Sequence, residues 1–111
     1  MTKYLKVLVL VIVFSACDCA ELCQVCTSTD TSSSCRYGST AAVDPNKECP
    51  SGMSKCFRLS YILKCNGTQI FQRGCTTADF CNKQYQRQDI DIRLCQICDK
   101  DYCNTGTLLV A

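Results

Sequence analysis

The chain has no histidine and no tryptophan in its 111 residues. Without histidine, the usual proton carrier is missing from Ser–His and Cys–His nucleophile pairs, so those hydrolytic arrangements cannot be assembled. Without tryptophan, and with four phenylalanines, the core is short of large rings. Charge of one sign is also lacking. Setting aside Lys3, Lys6 and Asp18, ten basic and nine acidic side chains remain, which is no footprint for nucleic acid. Nor is there a long apolar run. Val7 to Phe14 is unbroken, but Asp18 ends the stretch well before the roughly 18 residues that a membrane span needs.

That short run reads as the centre of an export signal. Lys3 and Lys6 supply a positive start, Val7 to Phe14 the apolar core, and Ser15, Ala16 and Cys17 the small residues that precede cleavage. Residues 1–20 are assigned to this signal. Cleavage falls after residue 17 or after residue 20, so the mature chain starts between Asp18 and Glu21.

Cysteine is what the chain has in excess, with 13 in all. Eleven of them lie between Cys23 and Cys103, a density above the roughly 8–10% that marks a disulfide scaffold. A chain routed to an oxidising compartment pairs such cysteines. A mature chain this short buries only about 60–65% of its unfolded surface, so bridges worth typically about 2–4 kcal/mol each supply much of the stability. Ten cysteines admit about 945 pairings, and spacing alone does not choose among them.

The order is more informative than the count. Cys23-Gln-Val-Cys26 opens the domain, Cys35, Cys49 and Cys56 follow, and five residues separate Cys75 from Cys81. The end reads Cys95-Gln-Ile-Cys98, then Cys103-Asn104 after four residues. This set resembles the LU domain, the three-finger module of lymphocyte-antigen-6 proteins and the urokinase receptor. The resemblance spans Leu22 to Asn104, and its most specific element is the terminal CDKDYCN. It implies a small all-β, disulfide-rich, three-finger (snake-toxin-like) fold with three β-hairpin loops on a disulfide core. Residues 21–104 form that domain, and residues 105–111 a short C-terminal tail. It further implies the pairs Cys23–Cys56, Cys26–Cys35, Cys49–Cys75, Cys81–Cys95 and Cys98–Cys103, with Asn104 tying the C-terminus back to the core. The chain departs from the family twice. Gln96 and Ile97 separate two cysteines that are usually adjacent, which is expected to loosen the junction of finger three. Cys65 is additional.

Local patterns agree with hairpins. Phe57, Leu59, Tyr61 and Leu63 alternate with Arg58, Ser60 and Lys64 as in a half-buried strand. Asn66-Gly67 follows as a tight-turn signal, which predicts Leu63 opposite Ile70 and Cys65 opposite Thr68. Ile90, Ile92 and Leu94 alternate toward Cys95. Thr27 to Ser34 is polar and turn-like.

Few residues offer chemistry. Asp89 and Asp91 alternate with Ile90 and Ile92 and read as the wet face of a strand. Cys23, Cys26, Cys95 and Cys98 have zinc-like spacing, but such a site needs thiolates that survive an oxidising pathway and leaves the other cysteines unexplained. No cofactor, no metal and no catalysis are therefore expected. Asn66-Gly67-Thr68 is a glycosylation sequon in an exported chain. Cys65 is expected to be free, or to link a second chain and so make a homodimer. Its distance up a strand puts it beyond the reach of Cys19. Between Cys49 and Ala78 the basic residues Lys55, Arg58, Lys64 and Arg73 have no acidic neighbour in sequence. Arg58, Tyr61, Lys64, Phe71 and Arg73 are the expected partner contacts. The resulting expectation is a secreted, non-enzymatic three-finger glycoprotein that modulates the extracellular part of a receptor or ion channel. The resemblance suggests nicotinic-type receptors or potassium channels. The alternatives are a structural or adhesive component linked through Cys65, and a venom or glandular toxin. A lipid-anchor signal is not completed by the five residues TLLVA after Gly106; attachment to a membrane would require a longer C-terminus.

Overall fold

A computed structural model describes residues 19–38 and 48–111. Apart from Cys19 and Ala20, the expected export signal lies outside the described residues. The described chain forms strand β1 (Cys26–Ser28), a short helix α1 (Ser34–Tyr37), strands β2 (Lys55–Leu63) and β3 (Gln69–Thr76), a second short helix α2 (Phe80–Tyr85) and strand β4 (Ile90–Cys98). The strands make one antiparallel sheet in the order β1-β3-β2-β4. No helix among the described residues is long and apolar enough to cross a membrane.

β2 is central because its sequence serves both faces. Phe57, Leu59 and Tyr61 are buried on one side, where Ile90 joins them and Phe80 of α2 packs against Phe57 with ring centroids 4.1 Å apart. Gly74 makes this possible: a Cβ there would stand 2.9 Å from the Phe57 ring. Cys56 and Ser60, on the opposite side, are also buried. The cover over Ser60 comes from the C-terminal segment. Leu108 is fully buried with Cys35 and Phe71, and Gln69 donates from Nε2 to both Ser60 Oγ (2.7 Å) and the Leu109 carbonyl (3.0 Å). Packed structure thus continues beyond Asn104 into residues 105–111.

Between pairs of described residues, five disulfides join Cys23–Cys56, Cys26–Cys35, Cys49–Cys75, Cys81–Cys95 and Cys98–Cys103, the pairs that the resemblance implies. Cys23, Cys56, Cys49, Cys75, Cys98 and Cys103 gather with Ala20 at one end of the sheet. Cys81–Cys95 fastens α2 to β4. Replacing Cys49 and Cys75 together by alanine should destabilise more than replacing Cys26 and Cys35. The sequence separations are 26 and 9, and loop-closure entropy alone makes the longer loop worth about 1 kcal/mol more. Urea midpoints of the two double variants under nonreducing conditions provide the check.

Two sequence expectations change. The β2–β3 register places Tyr61 opposite Ile70 and Ile62 opposite Gln69, and the Leu63 amide donates to the Thr68 carbonyl at 2.8 Å. Leu63 therefore faces Thr68, not Ile70, and Cys65 lies in a four-residue loop, not opposite Thr68. A two-residue type I′ turn needs positive φ at both Asn66 and Gly67. Only Gly67 adopts it, at +75°, while Asn66 Oδ1 accepts from the Thr68 amide at 3.0 Å and the Gly67 amide donates to the Leu63 carbonyl at 2.8 Å. The second change concerns Gln96 and Ile97. They do not loosen a junction: they pair with Arg58 and Phe57, and carry β4 on until Cys98 meets Cys56. Two inserted residues are one full strand period, so the side chains beyond them keep their faces.

Candidate interaction surface

The five expected contact residues separate sharply in the structure. Phe71 is fully buried beneath Leu108, and Tyr61 is buried in the core beside Leu59 and Ile90. Neither can serve as an exposed contact. Arg73 fails as a contact too, at 1% exposure. Sequence alternation assigned one wet face to this hairpin, but the C-terminal segment and α1 cover that face.

Arg73 has an internal task instead. Its Nε donates to the Cys35 carbonyl (2.6 Å), Nη1 to the Asn104 carbonyl (2.7 Å), and Nη2 to the carbonyls of Arg36 (2.9 Å) and Gly106 (2.6 Å). One guanidinium thus fastens α1 and the C-terminal segment to β3. Burial, and then the nearby Arg58 charge, lower its pKa to about 10, so it stays charged at neutral pH. Neighbouring glycines allow the close approach. Gly38 closes α1 at φ +67°, and a Cβ there would stand 2.8 Å from the Gly106 amide nitrogen.

Asn104 is a second internal tie. It is 1% exposed. Its Oδ1 accepts from the Gln24 amide at 3.0 Å, and its Nδ2 donates to the carbonyls of Gln24 and Phe57, each at 2.9 Å.

What remains at the surface is narrower than expected. Lys64, Cys65, Asn66 and Gly67 form the exposed β2–β3 loop, and Cys65 is a free thiol. Cys19 is disulfide-bonded, and not to Cys65. The loop leans on the segment before β4, where the Lys64 amide donates to the Asp89 carbonyl at 3.0 Å. Arg87 sits there over the Tyr61 ring, 5.4 Å from its centroid, and pairs with Asp89 at 3.0 Å. Their hydrogen bond holds the Asp89 carboxyl below its ordinary pKa and raises that of Arg87. Lys55 spends its charge on Asp99, 3.7 Å away. The basic stretch in sequence is therefore not one basic patch in space.

Arg58 is half-buried, with Nε donating to Gln96 Oε1 at 2.8 Å. It separates two adjoining hollows between β4 and the C-terminal segment. One, of about 340 Å³, is lined by Gln96, Ile97, Asn104 and Thr105, among others. The second, of about 230 Å³, is lined by Ser60, Arg93, Leu94, Thr107 and Leu109. Arg87, Arg93 and Leu109 escaped sequence reasoning; the apolar end of the tail, Leu108 to Ala111, was the one signal for the last.

The groups that suggested metal or acid–base chemistry do not converge in that sense. Cys23, Cys26, Cys95 and Cys98 belong to four different disulfides. Cys23, Cys49 and Cys75 bring their sulfurs within 4.8 Å of one another, but all three are oxidised. Asp89 and Asp91 are exposed and ion-paired, with Arg87 and Arg93. Comparison with protein-family models, curated proteins and solved structures finds no match for this chain.

Proposed function

We propose that the chain is a secreted, non-enzymatic three-finger protein that binds and modulates an extracellular receptor or ion channel, of the nicotinic or potassium-channel type. The observation that carries this reading is the exposed Lys64–Gly67 loop, held beside Arg87 at the far end of a sheet whose base is locked by disulfides. Such pre-organisation lowers the ordering cost of binding, and unpaired basic side chains speed encounter with acidic surfaces. Export is supported by the signal-like N-terminus and the disulfides. Ala20 is buried and its amide donates to the Ser54 carbonyl at 2.8 Å, which favours cleavage after residue 17 over cleavage after residue 20.

The test is recording of receptor and channel currents with purified protein. Lys64→Ala should slow association about threefold, since it removes the loop's steering charge. Asn66 stands on the exposed loop, where a glycan would cover Lys64. Enzymatic deglycosylation should therefore lower the apparent mass of the secreted protein, and Asn66→Gln should raise its association rate. Unchanged mass on deglycosylation would remove the glycan from this account. Equal rates for the wild type and Lys64→Ala would remove the loop as the electrostatic contact.

The exposed free thiol of Cys65 favours a second reading, an extracellular structural component joined through that residue. A dimer band on nonreducing gels that disappears in Cys65→Ser would support it.

A further inference from the structure

We infer that the groove between β4 and the C-terminal segment is a docking site for an extended, acidic segment of a partner protein. The proposal rests on the reading of this chain as a binding module, and gives that module a second surface distinct from the β2–β3 loop.

Charge is the first argument. Arg58 lies between the two hollows and Arg93 lines the second, and no carboxylate lines either one. The neighbouring Arg73 charge is satisfied by carbonyl groups alone, and Arg58 is close enough to repel it. Arg93 has a carboxylate partner, Asp91, at 3.4 Å on an exposed flank; Arg58 has none among the described residues. A local excess of positive charge therefore persists in a protein that is nearly neutral. Two guanidiniums present forked donors that match carboxylates.

The backbone is the second argument. The Leu108 amide donates to the Arg36 carbonyl at 2.8 Å, and the Leu108 carbonyl accepts from Arg36 Nε at 2.9 Å. The Gly106 carbonyl also turns inward, to Arg73. With both main-chain groups of Leu108 turned toward α1, those of Thr107 turn away from it in an extended chain. Thr107 lines the groove and makes no hydrogen bond among the described residues. It offers one N–H and one C=O to an incoming strand, as in β-augmentation. Leu94 and the 77%-exposed Leu109 supply apolar surface alongside. An extended chain alternating acidic and apolar residues fits these features, with its carboxylates to Arg58 and Arg93, its apolar side chains on Leu94 and Leu109, and its backbone on Thr107. An anionic membrane offers charge and apolar area, but no strand edge for Thr107.

The experiment is an NMR titration of isotope-labelled, disulfide-intact protein with a capped hexapeptide of alternating glutamate and valine. Glutamine–valine and lysine–valine hexapeptides and anionic phosphatidylserine vesicles are the comparisons. The proposal expects saturable shifts at the amides of Thr105, Thr107 and Arg93 with the glutamate peptide, weakening as salt is added. Arg93→Gln, at an exposed position, should bind it about tenfold more weakly, the equivalent of one charge-assisted hydrogen bond. Arg58→Gln should do the same. Equal binding of the glutamine or lysine peptide, shifts confined to the β2–β3 loop, binding of vesicles in preference to the peptide, or unchanged affinity in Arg93→Gln would each overturn it. The titration uses this protein alone, so it can fail while receptor modulation stands, and current recordings can fail while peptide binding stands.

Discussion

Replacing Arg73 with methionine is expected to lower stability by about 4 kcal/mol, in the range reserved for a broken buried network. The substitution keeps the aliphatic stem and removes every donor. Four carbonyls, of Cys35, Arg36, Asn104 and Gly106, then lose a partner at once. The disulfides hold the remaining sheet together, so the damage should be regional. Amide exchange should accelerate most at Leu108, whose N–H bond to Arg36 depends on the same clamp, and least at the β2–β3 ladder. Arg73→Lys separates charge from geometry. A lysine ammonium has three donors and no planar fork, so more than half of the loss should persist. If Arg73→Met and wild type had equal urea midpoints and equal Leu108 exchange, the guanidinium would not be the clamp described.

The second large effect is expected at Asn104. Asn104→Asp is nearly isosteric and keeps an acceptor for the Gln24 amide, but it turns a donating nitrogen into an oxygen facing the carbonyls of Gln24 and Phe57. At neutral pH the loss should be about 3 kcal/mol, from two orphaned acceptors and a buried carboxylate that faces them. The sign of its pH dependence follows from the surroundings. Burial and two facing acceptors, opposed by the Gln24 amide and by an Arg73 charge already shared among four carbonyls, raise the introduced carboxyl's pKa in the folded state above about 3.9, its unfolded value. Relative to wild type, the variant is therefore least impaired below that unfolded pKa, and the deficit grows as pH rises through the folded one. Thermal midpoints of both proteins between acidic and neutral pH measure this difference. A deficit that does not change with pH would contradict the assignment of Nδ2 as the donor to two carbonyls.

The cysteine order led, through the resemblance, to the pairs that the structure contains, because ladder register and bridge geometry constrain the same positions. The strand pattern from Phe57 to Leu63 was legible because alternation survives in one sequence. Register was not. Asn66-Gly67 names a turn, but whether two or four residues form it depends on Asn66, whose side chain is engaged by the Thr68 amide. Burial of the second face was also hidden. Alternation marks Arg58, Ser60, Phe71 and Arg73 without revealing that Leu108, from the far end of the chain, lies across that side of the sheet. An arginine in an otherwise ordinary strand carries no local sign that its charge is consumed by carbonyls from two other segments. The helices α1 and α2 are 4 and 6 residues long, too short for periodicity to announce. Ser33, which caps α1 by accepting from the Arg36 amide at 3.2 Å, was concealed in a polar run that reads equally well as a turn.

The central claim is that the oxidised, disulfide-built fold acts by binding a membrane receptor or channel from outside the cell. The most direct measurement is current through nicotinic-type receptors and potassium channels before and after applying the purified protein, beside the same protein reduced and alkylated. The account predicts a saturable change in current with the oxidised protein at a receptor or channel of one of these classes, no change with the reduced protein, and slower onset for Lys64→Ala. No effect of the oxidised protein on any receptor or channel of either class, or the same effect from the reduced and alkylated chain, would contradict it.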